Sequence, residues 1–117
     1  MKIYKSTTIC KSSSKKNIFY SFDKIHKNED NKLYTRFVKE VEFPDEKIVY
    51  VVFLEEQDYD YGLGSILRIF DNLEKAKEYF DNYNFQKHLS SECYYSLTLS
   101  LRVLNTNISC IIEEKEN

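Results

Sequence analysis

Apolar and polar positions alternate along most of this chain, and the period changes once. The cleanest stretch is Tyr94 to Leu104, where Tyr95, Leu97, Leu99, Leu101 and Val103 face one way and Ser96, Thr98, Ser100 and Arg102 the other. That is the signature of a strand with one wet and one buried side. Leu33 to Phe43 repeats it, with Leu33, Phe37, Val41 and Phe43 opposed to Arg36, Glu40 and Glu42. Pro44 stops that run, because proline has no N–H for a sheet ladder. Ile3–Ile9 and Ile18–Phe22 are shorter strand-like runs either side of a polar loop, Lys11–Lys16. Ile48–Leu54 is apolar at every position, which predicts a central strand covered on both sides. Ser65–Phe70 reads as its partner, and Ile108–Ile112 as a last short strand after the Asn105–Asn107 turn.

Between residues 72 and 83 the spacing lengthens to that of a helix. Leu73, Ala76, Phe80 and Tyr83 make one apolar stripe, while Lys75, Lys77, Glu78 and Asp81 make the wet face. Asp71 is the expected N-cap, with Glu74 three residues on completing a capping box. Together these elements predict an α+β fold: an antiparallel sheet of five to seven strands with one central helix, about 72–83, packed on one face. Residues 1–112 are expected to form a single domain, followed by an acidic, frayed tail at 113–117. The edge of strand 94–104 is expected to be free to pair with a second copy.

At Val49-Tyr50-Val51-Val52, Ile69-Phe70 and Glu74–Phe80 the chain resembles a loose group of small uncharacterised proteins from bacteria and their phages. The resemblance spans residues 47–84. It implies a strand–hairpin–strand–helix unit and a home in a phage or mobile-element gene set, and it supplies no catalytic residues.

Composition narrows the function classes. At 117 residues one core is the natural expectation. No window approaches the roughly 18 apolar residues of a membrane span, and the N-terminus lacks an apolar signal region, so a cytoplasmic protein is expected. Cys10, Cys93 and Cys110 are odd in number and widely spaced, which favours free, buried thiols over a disulfide framework. The net charge of −2 conceals an asymmetry. Residues 1–44 hold ten Lys/Arg and five Asp/Glu; residues 45–117 hold seven and fourteen. Such an asymmetry marks a partner-facing surface, unless both halves fold into one sheet whose charges intermingle and cancel.

The densest charge lies in Glu55–Gly62, where Glu55, Glu56, Asp58 and Asp60 alternate with Tyr59 and Tyr61. Asp58 and Asp60 have the alternating oxygens of a hard-cation loop but lack its closing Glu, so neither a metal nor another cofactor is expected. Tyrosines among carboxylates suit a protein contact, since Tyr offers area with few rotors to freeze. His26 and His88 have no base or ligand at productive spacing, and Cys93 with His88 carries no local signature of a nucleophile.

The expected function is therefore that of a non-enzymatic binding protein of phage or mobile-element origin. Its contact residues would be Asp45, Glu46, Glu55, Glu56, Asp58, Tyr59, Asp60 and Tyr61. They would block a basic site on a host nucleic-acid-handling protein, such as a CRISPR effector, in the manner of an anti-CRISPR inhibitor. The alternative is a nucleic-acid-binding module in residues 2–27, with Lys11, Lys15 and Lys16 on phosphates and Tyr4, Phe19 and Tyr20 interleaved.

Overall fold

The alternating segments form two four-stranded antiparallel sheets, not one. The structure is a computed structural model that describes residues 1–57, 62–85 and 94–116. The first sheet contains β1 (Lys2–Cys10), β2 (Lys16–Ser21), β3 (Glu29–Asp30) and β4 (Tyr34–Glu42), in the order β2-β1-β4-β3. After Pro44 a single 3-10 turn, Asp45–Lys47, carries the chain into the second sheet. There β5 (Ile48–Gln57), β6 (Gly62–Phe70), β7 (Tyr94–Val103) and β8 (Ser109–Glu116) lie in the order β6-β5-β7-β8, with the helix α1 (Leu73–Asp81) between β6 and β7 in sequence. The α+β class thus holds, while the expected single sheet of five to seven strands is replaced, among the described residues, by eight strands in two sheets. The reason is local. Pro44 and the turn behind it end the ladder of β4, and β5 then finds both its neighbours, β6 and β7, downstream.

One core joins the sheets. Ile48, Tyr50, Val52 and Leu54 of β5 and Tyr95, Leu97, Leu99, Leu101 and Val103 of β7 point to the same side, together with Cys110 of β8. Ala76 and Phe80 of α1 and Ile3 of β1 belong to the same buried cluster, with Met1, Tyr20, Phe22 and Phe43 packed against it. Ile3, Leu97, Leu99 and Leu101 have no exposed surface, so truncating any of them to Ala costs about 2–5 kcal/mol.

Several expectations are corrected at the level of single residues. The helix is capped by Asn72, whose Oδ1 accepts from the Lys75 N–H at 3.0 Å, and not by Asp71. The helix spans 73–81, short of the expected 72–83. The apolar stripe is as predicted: Ala76 and Phe80 are buried, and Leu73 and Tyr83 half-buried. β5 is central, and on the side away from Tyr50 and Val52 its Val51 is buried and its Val49 and Phe53 half-buried. On that side Ile66, Ile69 and Ile111 are exposed, with Val51 shielded between them. Leu33 and Phe37, expected inside, are 73% and 55% exposed, uncovered among the described residues. β7 has a partner on each side, so its edge is not open to a second copy. The segment expected to fray after Ile112 continues as strand, with Glu113, Glu114, Lys115 and Glu116 opposite Leu99, Thr98, Leu97 and Ser96. Gly64 has no positive φ; it makes room instead for the Phe53 ring, whose Cζ would stand 2.2 Å from an added Cβ.

Candidate functional site

Separate sheets keep the charges of the two halves apart. Among the described residues no strand of 1–44 pairs with a strand of 45–116, so the basic half is one lobe and the acidic half another. The molecule is long and flat, 49 × 37 × 22 Å.

The register shows where the acidic lobe gathers its carboxylates. In an antiparallel ladder, directly opposed residues point to the same face. Gly64, Glu55, Ser96 and Glu116 form one such row across the second sheet, and Ile66, Phe53, Thr98 and Glu114 form the next. Glu55, Glu114 and Glu116 therefore share a face with Phe53 and Ile66, and one row further on come Ile69, Val51, Ser100 and Ile111. Ser96 Oγ donates to Glu114 Oε1 at 3.2 Å, which fixes that carboxylate over the middle strand. The result is an apolar sheet face ending in a row of acids.

Of the eight residues expected to form the protein contact, the structure brings few together. Glu55 lies on this open face, whereas Glu56 points to the helix side, within 3.5 Å of the Tyr95 hydroxyl. Asp45 and Glu46 sit before the start of β5, about 30 Å from Glu55 and Glu56 at about 3.3 Å per strand residue. Asp45 is engaged there by the Met1 amino group at 3.1 Å. Asp58, Tyr59, Asp60 and Tyr61 lie outside the described residues, as do His88 and Cys93. Glu114 and Glu116 were missed because they were assigned to a tail. The signal was present: a hairpin partner of the ten-residue β7 has to run about as far as residue 116.

On the helix side the charges are satisfied within the fold. Lys115 Nζ donates to the Phe80 carbonyl at 2.6 Å and lies 4.8 Å from the centre of the Phe80 ring. Lys77 reaches Glu113 at 3.8 Å. Phe70, Tyr79, Tyr83 and Phe85 stack in series beside α1, with Arg68 over Tyr79.

In the basic lobe, Lys11 is held by Asp30 at 2.6 Å, and that ammonium, with the Thr35 hydroxyl, keeps the Asp30 carboxyl below its ordinary pKa. Lys15 and Lys16 close the β1–β2 hairpin, with Lys16 opening β2. Of the aromatics named with them, Tyr4 and Phe19 point to one face of the first sheet and Tyr20 to the other. Phe19 stacks on His26, whose Nδ1 lies 3.0 Å from the buried Ser6 hydroxyl.

Cys10 ends β1 half-buried rather than in the core, 3.3 Å from the Ser12 hydroxyl. Hydrogen bonds from Ser12, and then Ser13, lower its thiol to about 6, whereas burial pushes Cys110 up to about 11. Among the described residues no three His, Cys, Asp or Glu side chains converge on a point where a metal could sit. Comparison with protein-family models, with curated proteins and with solved structures found no match.

Proposed function

We propose that this chain is a non-enzymatic binding protein whose acidic lobe docks on a basic surface of a partner protein. The observation that carries the reading is the shared face of Glu55, Glu114 and Glu116 with Phe53, Ile66, Ile69 and Ile111. An exposed apolar sheet face with acids along one end, opposite the row that holds Arg102, has the composition of a docking surface: the apolar centre supplies affinity and the acidic end steers encounter. In sequence, Asp58, Tyr59, Asp60 and Tyr61 follow Glu55 and Glu56 directly. The phage-like words in residues 47–84 make a host defence nuclease of the CRISPR type the first partner to test, its nucleic-acid channel being the basic surface engaged.

The test is binding of the purified chain to such an effector by biolayer interferometry at several salt concentrations. The expected result is an association rate that falls with salt. Combined Glu55→Lys, Glu114→Lys and Glu116→Lys should weaken binding by at least about tenfold. Glu74→Lys with Glu78→Lys, exposed on α1, should leave it unchanged. Full binding by the triple variant would remove this face from the interface.

A further inference from the structure

We propose that the lysine-bearing face of the first sheet, beyond the end that Ile3 and Tyr20 bury in the core, binds single-stranded nucleic acid, as a site separate from the acidic face and independent of its role. The argument begins with how the register sorts charge. Successive strand residues alternate sides, and the pairing of β1 with β2 and β4 places Ile3, Lys5, Thr7 and Ile9 on one face with Lys16, Ile18 and Tyr20 and with Thr35, Phe37, Lys39 and Val41. Glu40 and Glu42 fall on the opposite face, opposed to Tyr4 and Lys2, and Glu29 joins them through its pairing with Arg36. The one carboxylate of these strands on the lysine side is Asp30, already occupied by Lys11 and Thr35.

What remains is a cationic face with an apolar centre. Ile18, Thr7 and Phe37 form one row across three strands, with Ile18 47% and Phe37 55% exposed. The adjacent row is Lys5 and Lys39, with Tyr20 at its β2 end packed against the core. Lys5 and Lys39 are directly opposed, and among the described residues neither is in an ion pair. Like charges directly across a ladder destabilise the sheet, and an anion seated between them relieves the repulsion. Lys16 supplies a third cation at the far end of β2.

The spacing suits a strand of nucleic acid rather than an isolated anion. Lys5 and Lys39 meet one stretch of backbone. Lys16 lies two rows on, about 13 Å further along at about 3.3 Å per strand residue, and so meets it about two phosphates later. The exposed Phe37 ring between them offers a stacking surface that any base can use. A flat sheet face of this kind admits a single strand whose bases are splayed onto it. It offers no helix or ribbon of the width that enters a duplex groove. These residues come from β1, β2 and β4, so the site is not the N-terminal segment alone; Phe37 and Lys39 have to be brought to it by folding.

The experiment is fluorescence anisotropy with a fluorescein-labelled 20-nucleotide single strand of mixed sequence, as DNA and as RNA, against the matching duplex and against heparin. Binding to the single strands should be tighter than to the duplex, with a log–log salt slope of about −2 for three phosphate contacts. Lys5→Gln with Lys39→Gln should weaken it by about tenfold and bring the slope to about −0.7. Phe37→Ala should weaken it at least about fivefold with the slope unchanged. Thermal melts of each variant establish that it is folded, and Lys16→Gln provides a milder charge variant at a strand end. Four results would each overturn the proposal: no binding at 50 mM salt, a double Lys variant that binds like the parent, a neutral Phe37→Ala, or heparin preferred over the single strands.

Discussion

A thiol flanked by hydroxyls differs from a thiol in a core, and this chain contains both. Ser12 and Ser13 stabilise the Cys10 thiolate, while Cys110 is 1% exposed among leucines and favours its neutral form. Because only the thiolate attacks an alkylating agent, a Cys93→Ser protein should take up one equivalent of iodoacetamide at neutral pH, on Cys10. The labelling rate should rise with pH around the Cys10 value of about 6 and then level off. Ser12→Ala should move that rise upward. A rate still climbing through the ordinary thiol range, followed by mass spectrometry, would show that the hydroxyls do not act on the sulfur. None of this was legible from the sequence, where all three cysteines read alike; the difference comes from a hairpin turn that holds Ser14 at a φ of 59° and folds Ser12 back on Cys10.

At the scale of the element, the sequence was informative wherever one face of a strand or helix is buried. The Tyr95–Val103 alternation, the centrality of β5 and the Leu73–Ala76–Phe80 stripe all appear in the structure, since burial enforces period two or 3.6. It misled where pattern was asked to supply a neighbour. Leu33, just before β4, and Phe37 on it implied a covering layer, yet both stand exposed. The cap shows the same limit at finer scale: Asp71 and Asn72 are both good capping residues, and only geometry chooses between them. Asn72→Ala should cost about 1 kcal/mol in a urea titration, and Asp71→Ala less than half that. Equal losses would indicate that the two share the role. Glu114 and Glu116 were hidden for a different reason, namely that charged residues at a chain end resemble a solvated tail until their partner strand is counted.

For the whole molecule, the decisive fact is that the chain crosses between its sheets once, through residues 43–47, so that its basic and acidic halves stay distinct. A cytosolic address, a phage origin and an absence of catalysis remain readings of the sequence; no helix of the described residues is long and apolar enough to cross a membrane. The side-by-side arrangement has a measurable size. Small-angle scattering should give a radius of gyration near 17 Å, against roughly 13 Å for a compact chain of this length; the smaller value would mean that the lobes stack in solution. β6 carries a last consequence. It is hydrogen-bonded only to β5 among the described strands, its exposed residues include Ile66 and Ile69, and Arg68 is its single charge. Its outer row of amides and carbonyls is thus a template for any extended segment that drifts past, with one guanidinium to discourage the match. How concentrated a solution of this protein stays clear would then be decided at that rim, by a few backbone groups, long before the buried leucines are in play.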